Sequence, residues 1–183
     1  MNEDEIGKIL RGCFTSSERD EKRGMKHKGL LKVKPDDKNA QRYIQKAKME
    51  LELCEIYREK GIDYKIAEEW FYVLYYCALA ILAKFGVETR SQRYTALFLR
   101  YVKGNGLIEY EDDFIRRITV YREKGEKSDV DEREASRYSS SITNESVKAR
   151  YGEMTDICKK AIFQAEEIVF SGRDFKVPEE LVS

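Results

Sequence analysis

The chain has 183 residues, enough for one domain. Its 34 lysines and arginines cancel its 34 aspartates and glutamates, which argues against a whole-molecule electrostatic grip on nucleic acid or a membrane. A single histidine excludes, within one chain, a site built from several histidines, and the four cysteines (13, 54, 77, 158) show no CxxC zinc or redox spacing.

Residues 1–36 carry no long periodic pattern and are expected to form an irregular N-terminal arm. Ile6, Ile9, Leu10 and Phe14 suit one short amphipathic helix in it. The opening MNEDEIGKIL lacks the basic lead and apolar core of a secretion signal, so a cytoplasmic protein is expected. Between Lys22 and Lys34 lie six lysines and arginines and no acid: Lys22, Arg23, Lys26, Lys28, Lys32 and Lys34. This basic strip is read as solvated, laying Leu30, Leu31 and Val33 on the remainder. A phosphate-contacting role ranks second, because no aromatic residue is interleaved for base stacking. The lone His27 falls in this polar segment.

Residues 37–172 read as an all-α, up-and-down bundle of about five helices, followed by a tail over 173–183. The first helix is expected from Asp37 to Lys60. Ala40, Ile44, Ala47, Leu51 and Cys54 recur at alternating steps of four and three, Asp36 or Asp37 can cap the start, and Gly61 suits the turn that ends it. The short link to Asp63 implies an antiparallel hairpin. The next helix carries Trp70 to Ala83, WFYVLYYCALAILA, a run without charge and apolar on every face. Such a helix must be covered all round. The run is also too short for a bilayer, which needs about 20 apolar residues. No membrane association is expected.

A third helix is expected from Ser91 to Lys103 and a fourth from Glu111 to Glu123, with Phe114, Ile115, Ile118 and Tyr121 inward. Residues 122–143 are charged and poor in large apolar groups, as in a long loop or frayed helix. The last helix is expected from Asn144 to Phe170. Alternating apolar runs are absent, so strands have little support. Cys54, Cys77 and Cys158 fall in apolar stripes and read as small buried hydrophobes. Glu68–Glu69 and Asp112–Asp113 read as solvated surface pairs, since adjacent residues do not share a helix face. With no P-loop, no GxGxxG and no metal-ligand cluster, neither a cofactor nor a metal is implied.

The stretch KNAQRYIQKAKMELELCEIYREKGIDYKIAEEWFYVLYYCALAILAKFGVET resembles the first two helices of the HEPN family, with the aromatic-rich second helix closed by Gly86. RSQRYTALFLRYV looks like the following helix, and the resemblance spans about residues 38–171. It implies a helical bundle that pairs into a homodimer. Many members are ribonucleases, often toxins paired with a nucleotidyltransferase-type antitoxin; others are inactive binding or scaffold domains.

Active members carry R-x(4–6)-H. Metal-free RNA cleavage needs a base for the 2′-hydroxyl proton and a cation for the phosphorus charge, which histidine and arginine supply. Arg122 stands where the family arginine is expected, yet no histidine follows it, Arg133 or Arg137. Lys127 would be a poor base, being mostly protonated at neutral pH. The resemblance therefore implies a non-catalytic domain that binds a nucleotide, RNA or protein partner. Arg122, Lys124 and Lys127 would line its polar site, with Arg133 and Arg137 as further phosphate donors. The alternative is a ribonuclease with a degenerate site, recruiting His27 across a dimer. A third reading is a structural partner protein. The abundant tyrosines (Tyr43, Tyr57, Tyr72, Tyr75, Tyr76, Tyr94, Tyr101, Tyr121) are read first as lining the core with hydroxyls at its rim; on the structural-partner reading some of them lie in a dimer seam.

Overall fold

A computed structural model of the chain describes residues 1–119, 133 and 144–182. It is an all-α bundle with one small strand pair.

The N-terminal segment departs from the expected arm. Helix α1, Glu3–Lys22, runs for 20 residues. Asn2 Oδ1 accepts the Glu5 N–H at 2.9 Å, and the Glu5 carboxylate accepts the Asn2 N–H at 3.0 Å, so two free helix donors are satisfied reciprocally. Ile6, Leu10, Cys13, Phe14 and Ser17 share the buried face and lie against the fourth helix, with Phe14 edge-on to Phe98 at 6.3 Å. The charged run SSERDEK, read as an arm, continues this helix.

His27 also departs from expectation. It is 1 % exposed, and its Nε2 lies 3.1 Å from Glu88 Oε1. At Gly29 a Cβ would sit 2.4 Å from Cys13 Sγ, so only glycine allows this close approach. The next N–H, from Leu30, donates to that sulfur at 3.2 Å. Strand β1, Leu30–Lys32, then pairs antiparallel with β2, Val87–Thr89, Leu31 opposite Glu88. Three residues are too few for an alternating pattern to be visible in sequence.

Helix α2, Asp37–Glu59, starts where Asp36 Oδ1 accepts the Asn39 N–H at 2.9 Å. Gly61, at φ 68°, ends the turn after it, and a 3₁₀ turn over Asp63–Lys65 leads into α3, Ile66–Phe85. Among the described residues the α2–α3 hairpin is the most extensive helix contact, and the last helix, α6 (Asn144–Val169), closes over it. Trp70, Phe71, Val73, Leu74, Cys77, Ala78 and Ile81 of α3 are all buried. By length and composition the 23 residues Asp63–Phe85 are apolar enough to cross a membrane, but most of this stretch is buried inside the fold. Coverage by neighbouring helices accounts for its apolarity.

Helix α4, Gln92–Gly104, is capped by Ser91. Helix α5, Asp112–Arg117, is six residues long and stops short of the expected Glu123. Isoleucine and threonine follow at 118 and 119, and the Thr119 hydroxyl takes the Ile115 carbonyl at 2.7 Å, competing with the helix ladder. Helix α6 spans Asn144–Val169. The tail then folds back: Phe175, Val177 and Leu181 are buried, Phe175 lies 4.8 Å from Phe85, and a 3₁₀ turn over Glu179–Leu181 packs on α1. All four cysteines are free and buried.

Candidate functional site

The α2–α3 hairpin leaves one seam half-covered. From α2, Asn39, Tyr43, Lys46 and Glu50 follow at steps of four, three and four, which places them on one helix face. From α3, Glu69, Tyr72 and Tyr76 oppose them in antiparallel order. Tyr43 stacks on Tyr76 with centroids 6.1 Å apart, and Tyr72 stacks on Tyr76 at 5.9 Å. Lys46 Nζ lies 5.3 Å from the Tyr76 ring centre and 5.9 Å from that of Tyr43. Behind this row Tyr75 stacks on Phe71 at 5.6 Å. Burial pushes the Tyr75 hydroxyl up, partly offset by a hydrogen bond with Thr95.

Toward the β-ribbon the seam widens into a groove of about 600 Å3, bordered by Lys34, Asn39, Tyr43, Tyr75 and Leu79, with Glu88 and Thr89 on the far wall. Burial raises the Glu88 carboxyl, but hydrogen bonds from His27 and Arg90 outweigh it and hold the group below its ordinary value. At the other end stands a carboxyl pair. Burial, then a hydrogen bond with Glu50, pushes Glu69 up to about 8. Glu68 beside it is buried. Both glutamates thus depart from the solvated reading. Asp113 also has specific partners: it pairs with Arg116, and with Arg117 at 2.7 Å, and these arginines outweigh the opposing effect of its burial on the carboxyl.

Of the basic residues singled out in the sequence, Arg122, Lys124, Lys127 and Arg137 lie outside the described residues, as does Tyr121. Arg133 is described. Its guanidinium carbon sits 4.4 Å from the Phe71 ring centre, and its charge acts on Tyr75, which puts it beside the tyrosine row. Tyr43, Tyr72, Tyr75 and Tyr76 are half-buried, whereas Tyr101, Tyr110 and Tyr151 are in the core. Asn39, Lys46 and Glu50 were missed because each looks like an ordinary solvated position. Their shared helical pitch opposite Glu69, Tyr72 and Tyr76 was the available signal.

The seam and groove together offer ring faces for stacking, with Lys46 at the rings and Lys34 at the groove for anions. Among the described residues no group of three or more His, Cys, Asp or Glu is placed to hold a metal. Compared with models of known families, with curated proteins and with solved structures, the chain matches none.

Proposed function

We propose that the chain is a non-catalytic, HEPN-like helical domain of the cytoplasm, and that its α2–α3 seam binds a nucleotide or a short single strand of RNA. The observation that carries this reading is the stacked row Tyr43–Tyr76–Tyr72 with Lys46 against its rings. A tyrosine face accepts any base, and lysines beside it meet the phosphates. Arg133, beside the same row, is a further phosphate donor. Arg122, Lys124, Lys127 and Arg137, which lie outside the described residues, enter this reading only through the HEPN resemblance. Binding is favoured over hydrolysis because the one imidazole, His27, is buried and engaged by Glu88.

Fluorescence anisotropy with a labelled single-stranded RNA, and titration with adenosine monophosphate, test it. Tyr43→Ala and Lys46→Ala should each weaken binding, Tyr43→Ala by roughly tenfold or more, with the RNA left intact. Equal binding by both variants overturns the site. Metal-free cleavage of the RNA, lost on Arg122→Ala, replaces this reading with the ribonuclease one.

A second reading, pairing of two copies, has its own support. On the outer face of α2, Met49 is 62 % and Ile56 43 % exposed, with half-buried Leu53 between them at helical spacing. Sedimentation in dilute solution decides it: a dimer that Met49→Glu dissociates supports the pairing, and a monomeric wild type removes it.

A further inference from the structure

A second recess shares Val33, Lys34 and Asp36 with the tyrosine groove, but opens between that connector and the C-terminal tail. Its volume is about 790 Å3, in the range of small-molecule sites. Its interior is apolar and aromatic. Phe85 and Phe175 line it with rings 4.8 Å apart and inclined at 43°, and the buried Val177 completes the floor.

Its rim is cationic. Six lysines and arginines line the recess against four acids, and the acids are largely committed. Asp37 holds Lys84 at 2.8 Å, Asp174 lies 3.8 Å from Lys176, and Asp36 caps α2. Arg173 is spread over the Phe175 ring at 4.8 Å. Among the described residues Lys34 and Lys38 make no ion pair, and both are exposed at the mouth. Lys38 stands in the first turn of α2, where the helix dipole adds positive potential.

We propose that this recess binds a flat organic anion, an aryl group carrying a carboxylate or a phosphate. The ring packs on Phe85 and Phe175, and the anionic group meets Lys34 and Lys38. Stacking and burial of the ring supply affinity that a bare ion lacks. The lysines set the sign of the ligand. This site does not depend on the RNA reading, because Lys38 borders only the second recess and Tyr43 only the first.

The test is calorimetric titration of the full chain with phenyl phosphate, benzoate and inorganic phosphate. Phenyl phosphate or benzoate should bind measurably, the tighter of the two naming the head group, and inorganic phosphate at least about tenfold more weakly. Lys38→Glu places its charge on an exposed first-turn position that tolerates an acid, so the fold should survive, as circular dichroism will show. It should weaken the aryl anion by roughly tenfold and leave Tyr43-dependent RNA binding unchanged. Tyr43→Ala should do the reverse. Inorganic phosphate binding as well as phenyl phosphate, no binding of either aryl anion, or a folded Lys38→Glu variant with wild-type affinity overturns the proposal.

Discussion

Lys84 Nζ lies 2.8 Å from Asp37 Oδ1, and the two ends of this pair are unequal: the lysine side chain is 8 % exposed, the aspartate 63 %. Removing one end is therefore not equivalent to removing the other. Asp37→Ala strands an ammonium group in the wall of the bundle, which should cost about 1–2 kcal/mol, less than the 3–5 typical of a fully buried pair because water reaches this one. Lys84→Met leaves a carboxylate already in water and should stay within about 1 kcal/mol of wild type. Urea unfolding midpoints measure both, and equal losses would contradict the asymmetry.

Gly86 and Gly61 separate two roles of a left-handed turn. Both have positive φ, 75° and 68°. A Cβ on Gly86 would lie 2.5 Å from the Val33 carbonyl oxygen and 2.9 Å from Pro35, while at Gly61 nothing lies within 4 Å. Gly61→Ala should therefore cost only the conformational term, about 1–2 kcal/mol. Gly86→Ala should cost clearly more, because the connector must also move. The Val33 N–H donates to the Gly86 carbonyl at 2.8 Å and the Asp36 N–H to the Ala83 carbonyl at 3.1 Å, and both contacts are strained by that move. Thermal melts of the two variants side by side would reveal it.

Helix α1 should behave as part of the core. Leu10 is 0 % exposed, so Leu10→Ala should destabilise the whole chain by about 2–5 kcal/mol. A loosely laid arm would give almost no change in the unfolding midpoint.

Glu69 makes stability depend on pH with a defined sign. Burial first, then hydrogen bonding to Glu50, then the charges of Glu50 and Glu68, lift its carboxyl from 4.5 to about 8 against a smaller pull from Lys65. Between those values the folded chain keeps a proton that the unfolded chain has released. The resulting stabilisation is complete below the lower value, is lost as pH rises through the upper one, and is absent above it. Thermal midpoints should fall across that window and level off beyond it. Glu69→Gln, which cannot ionise, should flatten the fall. A wild-type profile flat over the same range would refute the pairing.

Much of this fold was legible because apolar residues recur at helical pitch. The helices at Asp37–Glu59, Ile66–Phe85, Gln92–Gly104 and Asn144–Val169 lie close to where their stripes and caps place them. Helix α1 was obscured because small Cys13 and Ser17 complete its buried face and charge fills the rest. The strands were too short to show a period. His27 could not be placed from its neighbours, since its partner Glu88 is 61 residues away. The tyrosines were visible, but which faces stay half-covered depends on how two helices register across Gly61. Of the sequence-derived phosphate donors only Arg133 is among the described residues, and it comes to rest beside that tyrosine row.

Val33, Lys34 and Asp36 border both recesses. A guest in either recess would press on the same partition. If one occupant alters the hold on the other, thermodynamic reciprocity makes the influence equal in both directions. Three residues would then give the molecule a means for one chemical signal to report on another.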